Sequence, residues 1–123
     1  MNNFKKKVSG GSRKLKSKQE RLESGETIVT SEKGNSMTPL IKSGQKHVLE
    51  PVKDIKDIKP GDIVYCRVRG SFYTHLVKAA DSKKGVLIGN NHGGINGWTK
   101  KVFGKVIKIL EPREVWMEEE SKK

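Results

Sequence analysis

The sequence predicts a mainly β domain, built as a small coiled antiparallel sheet or partial barrel. Two observations support this fold class. Short runs of β-branched and apolar residues recur at close spacing with turn residues between them, and residues 34–110 contain no stretch with the 3.6-residue apolar period of a helix. The chain has 123 residues, which suits one domain rather than two.

Six strands are predicted along the chain. They cover residues 27–30, 47–52, 62–69, 72–79, 85–88 and 101–110. The first is β-branched or apolar throughout, and Pro51 and Pro112 end the second and the last. Gly70-Ser71 is a two-residue turn signal that makes residues 62–69 and 72–79 a hairpin. Residues 89–97 hold four glycines and three asparagines and are predicted to be a loop.

The two ends of the chain differ in composition from the middle. Residues 1–25 are predicted to be a basic disordered arm that includes a short helix, because the first 18 residues carry seven Lys/Arg and no acid. Residues 26–110 form the β domain, and residues 111–123 form an acidic tail.

Positive charge dominates the composition. Lys and Arg number 26 against 14 Asp and Glu, and the formal net charge is +12. Residues 34–110 alone carry fourteen Lys/Arg and five Asp/Glu, a net +9, so most of the excess belongs to the predicted domain. Such a surface attracts polyanions, and nucleic acid is the obvious one, although lysine-rich faces are also common for solubility alone.

Several classes of protein are excluded by composition. No apolar run approaches the roughly 20 residues of a membrane-spanning helix, and no apolar stretch follows the N-terminal charges as in a signal peptide. The single cysteine, Cys66, excludes an internal disulfide and a Cys-cluster zinc site. These features predict a soluble cytoplasmic protein without a metal or cofactor.

His47 begins a predicted strand and is expected at the surface.

The densest chemical signal is the six-residue sequence Gly-Asn-Ser-Met-Thr-Pro at 34–39. Gly34 allows a tight backbone approach, and Pro39 fixes the exit from the turn. Ser36, flanked by Asn35 and Met37, would then present its hydroxyl on a rigid loop among backbone N–H groups. A nucleophilic serine needs this arrangement together with a base, but the same residues also suit an ordinary turn.

Residues 36–39, Ser-Met-Thr-Pro, resemble the nucleophile motif of the LexA/signal-peptidase superfamily of serine peptidases. In that family a Gly-Asp-x-Val turn follows, and then a hairpin whose return strand carries the base. Gly-Asp-Ile-Val stands at 61–64, and His75-Leu76-Val77 resembles the branch whose base is histidine. The resemblance spans 27–110 and implies a LexA C-terminal type of fold with Ser36 as nucleophile and His75 as base.

The chain departs from the histidine branch at the group that supports the base. That branch has an aspartate near an asparagine loop, whereas here Asn90, Asn91 and Asn96 are the base-orienting candidates. An amide oxygen can hold a neutral imidazole in one tautomer, but it stabilises an imidazolium less than a carboxylate does. A packed, hydrogen-bonded structural histidine at position 75 would give the same local sequence.

A second departure concerns the oxyanion. Gly34 stands where some signal peptidases have a serine hydroxyl that donates to it, which leaves backbone amides for that role.

Two functions remain from the sequence. The first is a stand-alone phage or bacterial serine endopeptidase whose Ser36–His75 dyad hydrolyses a peptide bond in another protein. The chain has no Ala-Gly or Cys-Gly bond of the kind that self-cleaving repressors cut. The second is a catalytically silent module of the same fold that binds nucleic acid or an acidic protein through its basic surface. Substrate preference and oligomeric state stay open.

Overall fold

The computed structural model describes residues 16–116, which form a single antiparallel sheet of seven strands with a short helix. The elements are α1 (Lys18–Glu23), β1 (Ile28–Thr30), β2 (His47–Pro51), β3 (Ile63–Val68), β4 (Ser71–Asp81), β5 (Gly85–Gly89), β6 (Ile95–Thr99) and β7 (Val102–Ile109), with a 3-10 helix at Ile55–Asp57 between β2 and β3. The predicted mainly β fold is therefore confirmed. No helix in this part of the chain is long and apolar enough to cross a membrane.

The sheet coils back on itself. Its strand order is β1-β2-β7-β3-β4-β5-β6, so β6 is an edge strand. At its C-terminal end, however, β6 approaches β3 in the middle of the sheet. Thr99 Oγ1 donates to the carbonyl oxygen of Arg67 at 2.6 Å, and the Arg67 amide donates to the carbonyl of Lys101 at 2.9 Å. The pairing register shifts by a residue within four of the strand pairs. Such irregularities increase the local twist of the strands, and the sheet curls into a partial barrel.

The β3–β4 hairpin turns one residue earlier than predicted. Val68 pairs with Ser71, so Arg69 and Gly70 are the two turn residues and Ser71 already belongs to β4. Arg69 has φ +52° and Gly70 has φ +86°. Both values suit a type I′ turn, whose twist matches that of the flanking strands.

Strand β6 corrects the prediction of a loop over residues 89–97. Two of its central residues, Asn96 and Gly97, have low β propensity, and Gly97 has φ +134°. This strand pairs with β5, from Thr99 opposite Val86 to Ile95 opposite Gly89, and the pairing holds its residues extended. Tertiary contact therefore overrides local preference.

Two groups of apolar side chains fill the interior. The larger consists of Ile58, Val64, Cys66, Val68, Val77, Val86, Ile88 and Val102. The smaller consists of Leu22, Ile28, Leu49 and Tyr65 and lies under α1. The helix begins at a capping box in which Ser17 and Glu20 satisfy each other's backbone amides.

The short helix predicted within residues 1–25 is present as α1, and it is docked on the sheet. Leu22 is 2% exposed and packs on Gly104 of β7, where a Cβ would come within 2.9 Å of a Leu22 methyl group. This contact between a buried leucine and a glycine joins the helix to the sheet. The prediction for residues 1–15 lies outside the described residues, as does most of the predicted acidic tail.

Replacing Leu22 by alanine is expected to destabilise the fold by about 2–5 kcal/mol, because it removes the buried side chain that joins α1 to β7. Urea unfolding of the two proteins measures the difference. Val115→Ala is the control, since Val115 is 74% exposed. A loss in Leu22→Ala no larger than in that control would contradict the docked helix.

Candidate active site

Ser36 and His75 lie within hydrogen-bond distance of each other. Ser36 sits on the loop that follows β1, and His75 lies in β4 opposite Val64 of β3. Ser36 Oγ is 3.1 Å from His75 Nε2. His75 is 7% exposed, whereas Ser36 is half-buried, so the hydroxyl can be reached from solvent while the imidazole is held in the protein.

The second nitrogen of His75 bonds to Asn96, a residue of β6. His75 Nδ1 is 2.7 Å from Asn96 Oδ1. Since a carbonyl oxygen only accepts, Nδ1 must carry the proton and donate it. In the neutral ring Nε2 then has a free lone pair, and the Ser36 hydroxyl donates to it. Asn96 thereby selects the tautomer in which His75 can act as a base toward Ser36.

Gly89 of β5 allows this strand to lie close to β4, which carries His75, and to β6, which carries Asn96. It pairs with Leu76 of β4 on one side and with Ile95 of β6 on the other, one residue from His75 and from Asn96 respectively. A Cβ at Gly89 would collide with the carbonyl oxygen of Gly94. A side chain at this position would therefore force the loop before β6 to move.

The other two base-orienting candidates hold loops instead of the base. Asn90 Oδ1 accepts from the amides of His92 at 2.8 Å and Gly94 at 2.9 Å, which shapes the turn before β6. Asn91 reaches the serine loop: its amide donates to the carbonyl of Ser36 at 2.8 Å, and its Nδ2 donates to that of Thr38 at 2.9 Å. Of the three asparagines, Asn96 alone bonds to His75.

The serine loop is supported at several points. Gly34 has φ +118°, and its amide donates to Ser43 Oγ at 3.0 Å. Met37 is buried and anchors the loop, while Pro39 is exposed. His92 Nε2 lies 2.9 Å from the carbonyl oxygen of Asn35, which ties this loop to the one before β6. The nucleophile candidate is therefore fixed from both sides.

Two backbone amides of the serine loop lack a protein acceptor within the described part of the chain. Within residues 16–116, the N–H groups of Ser36 and Met37 donate to no protein acceptor. They belong to the loop that carries the Ser36 hydroxyl, where a tetrahedral oxyanion formed on attack would need donors. Tyr73 completes the surroundings by stacking on the His75 ring, with centroids 4.8 Å apart.

Cys66 is no competing nucleophile. It is fully buried in β3, and this burial, together with the negative charge of Glu32, raises the pKa of its thiol to about 12. The thiol stays protonated and inert at neutral pH. Among residues 16–116, no group of three or more His, Cys, Asp or Glu side chains is placed to hold a metal ion.

A polar cluster beside Ser36 was missed by sequence reasoning. Glu32 Oε2 accepts from Thr74 Oγ1 at 2.6 Å and from Lys18 Nζ at 2.9 Å. His47, expected at the surface, is 1% exposed, because β2 lies between β1 and β7 and its first residue faces inward. In the sequence only Glu32, four residues before Ser36, hints at this cluster. No motif or spacing connects His47 or Thr74 with Ser36.

The cluster shifts the pKa values of two of its members. Burial alone would raise the pKa of Glu32, but hydrogen bonds from Thr74 and Lys18 and the charge of Lys18 outweigh it, so the pKa is lowered. Burial lowers the pKa of His47, because the charged ring would lose its hydration. Both shifts favour an ionised Glu32 and a neutral His47 at neutral pH.

A scan against protein-family models and a search of curated protein sequences find no match for this chain.

Stability should fall as the pH is lowered from about 7 to 5. The unfolded chain protonates His47 near its ordinary pKa of about 6.5, whereas the folded protein resists protonation, so acid favours unfolding. Glu32, whose pKa is also lowered, adds to the loss below about pH 5. Thermal unfolding across this range should show a weaker pH dependence in His47→Phe than in the wild type. Equal dependence in the two proteins would contradict the buried neutral imidazole.

Proposed function

We propose that this chain is a serine peptidase-like hydrolase that cleaves a peptide bond in another protein or peptide. The observation that carries the proposal is the continuous chain of hydrogen bonds from Asn96 through His75 to Ser36. It combines a hydroxyl, a base with its lone pair directed at that hydroxyl, and a group that fixes the base, which together are the parts of an activated nucleophile.

The geometry suits a two-step acyl transfer. Ser36 Oγ attacks the substrate carbonyl carbon while His75 Nε2 takes the hydroxyl proton, and the amides of Ser36 and Met37 donate to the oxyanion. Collapse of the intermediate breaks the C–N bond, and His75 gives its proton to the leaving amine. A water molecule then attacks the carbonyl carbon of the acyl ester while His75 takes its proton. The C–O bond to Ser36 breaks, the carboxylic acid product leaves, and His75 returns the proton to Ser36 Oγ.

Asn96 sets the expected efficiency. Its amide oxygen orients His75 as a carboxylate would, but it brings no negative charge to stabilise the imidazolium that forms during attack. We therefore expect slow turnover compared with enzymes that use a charged third residue. The order of the motifs along the chain supports the same function through the resemblance to the LexA/signal-peptidase superfamily, and the proposed setting is the cytoplasm of a bacterium or of a phage host.

Labelling with a fluorophosphonate probe, which phosphonylates activated serines, tests this function. Wild-type protein should be modified at Ser36, and Ser36→Ala should not be modified. His75→Ala should react at least about 100-fold more slowly, because the general base is lost. Intact-protein mass spectrometry follows the reaction, and Ser71→Ala, which removes an exposed serine of β4, is the matched control.

Absence of labelling in folded wild-type protein would contradict the enzyme and favour the second function, a silent module that binds nucleic acid through its basic surface. Such binding would weaken steeply with added salt, because it releases counterions from the phosphates.

A further inference from the structure

Three aromatic side chains from neighbouring strands form a cluster on one face of the sheet. The rings of Tyr65 in β3 and Phe72 in β4 are stacked with their centroids 5.6 Å apart, and Phe103 of β7 lies 6.0 Å from Phe72. Tyr65 is buried, whereas Phe72 is 42% exposed. Two neighbouring rings therefore hold Phe72 in place while a large part of it is open to solvent.

An arginine lies against this exposed ring. Arg67 is paired directly with Phe72 across the β3–β4 hairpin, and its guanidinium carbon Cζ is 5.2 Å from the centroid of the phenyl ring. Aromatic rings and guanidinium planes are the two kinds of protein surface on which unpaired nucleic-acid bases stack. The hairpin therefore presents a stacking surface that also carries positive charge.

A cleft of about 530 Å³ continues this surface toward the end of α1. Phe103 belongs to both, and Lys101 in the cleft wall lies beside Arg67, whose amide donates to its carbonyl at 2.9 Å. The charged residues that line the cleft are three lysines and one acid, namely Lys53, Lys100, Lys101 and Glu23. The cleft is therefore positively charged, and its volume lies within the roughly 300–1,000 Å³ of sites that hold drug-sized ligands.

The cations of this surface are not neutralised by carboxylates nearby. Within residues 16–116, the cations that form ion pairs with Asp or Glu are Lys18, Arg21, Lys105 and Lys108. Arg67 and the three lysines of the cleft belong to none of these pairs. Their charge is therefore left for a ligand, and the net +12 of the chain attracts a polyanion toward them.

This surface is separate from the Ser36–His75 dyad. Phe72 and His75 are three residues apart in a regularly paired stretch of β4, so their side chains point to opposite faces of the sheet. None of the residues that line the cleft belongs to the serine loop. A ligand bound here therefore requires neither a reactive nor a silent Ser36.

We propose that the chain binds single-stranded nucleic acid on this face, in addition to the proposed hydrolase activity. The binding residues form what we call the aromatic–lysine surface, which consists of Phe72, Arg67, Lys53, Lys100 and Lys101. The lysines contact phosphates, and an unpaired base stacks on Phe72 and Arg67. A duplex presents phosphates too, but its bases are already stacked on one another. An acidic protein supplies negative charge but no bases for the ring.

Fluorescence anisotropy of a fluorescein-labelled oligothymidylate of about 12 nucleotides tests this surface with the full chain. Wild-type protein should bind this strand more tightly than a duplex of the same length, although the duplex carries more phosphates, because only the strand has free bases. The affinity should fall steeply between about 50 and 200 mM salt, since the lysines displace counterions from the phosphates.

Two substitutions at Phe72 isolate the stacking contribution. Phe72→Leu keeps an apolar side chain on Tyr65 but removes the ring, and it should weaken binding of the strand at least about fivefold while duplex binding changes little. Phe72→Trp retains an aromatic plane and should bind the strand at least as tightly as the wild type. The ratio of strand affinity to duplex affinity is the quantity compared, because it is independent of how much of each variant is folded.

A substitution in the cleft tests the phosphate contacts. Lys101→Gln should reduce the slope of log affinity against log salt concentration by about 0.7, the value for one phosphate contact on a single strand. Lys46→Gln is the matched control and should keep the wild-type slope. Lys46 is also an exposed lysine, but it lies at the far end of β7, where its carbonyl accepts from the amide of Leu110.

Three results would overturn the aromatic–lysine surface. They are no binding of the strand by folded wild-type protein, tighter binding of the duplex than of the strand, and a wild-type ratio of the two affinities in Phe72→Leu. A wild-type salt slope in Lys101→Gln would remove the cleft from the surface and so contradict the proposal as well. All of these results leave the proposed hydrolase untouched, since that function is tested by labelling of Ser36.

Discussion

The hydrogen-bond chain from Asn96 through His75 to Ser36 is the interaction on which the account of this protein depends. Its members come from β6, β4 and the loop after β1, so no local segment can form it. It requires the coiled sheet, in which β5 holds β4 and β6 side by side and Gly89 permits their close approach. The fold therefore places Ser36 within hydrogen-bond distance of His75 and holds Asn96 against the other nitrogen of the imidazole ring.

The serine loop also lies beside a polar cluster in which Glu32 accepts hydrogen bonds from Thr74 and Lys18. In a chain with a net charge of +12, the half-buried Glu32 supplies negative charge beside Ser36, and Lys18 and Thr74 hold it. Helix α1 thus does more than cover apolar surface, since it brings the cation that stabilises this carboxylate.

The fold class was predicted correctly because β-branched runs and turn residues are local features. The pairing of Ser36 with His75 was predicted from the resemblance to a known family, and the structure places the two side chains within hydrogen-bond distance. Sequence reasoning placed residues 89–97 in a loop, since Asn96 and Gly97 have low β propensity, and so it left three asparagines as equal candidates for orienting the base. Pairing of β6 with β5 separates them. The burial of His47 was missed for a related reason. The exposure of a side chain depends on which strands lie on either side of its own strand, and the sequence of one strand does not show which strands those are.

The tautomer of His75 is the most direct test of this account. Long-range proton–nitrogen NMR correlations on histidine-labelled protein at neutral pH, assigned with a His75→Gln variant, distinguish the two neutral forms. A proton on Nδ1 with an unprotonated Nε2 is the predicted result, because Asn96 Oδ1 can only accept and Ser36 must donate. A proton on Nε2 with an unprotonated Nδ1 would contradict it, since His75 would then have no lone pair to receive the serine proton.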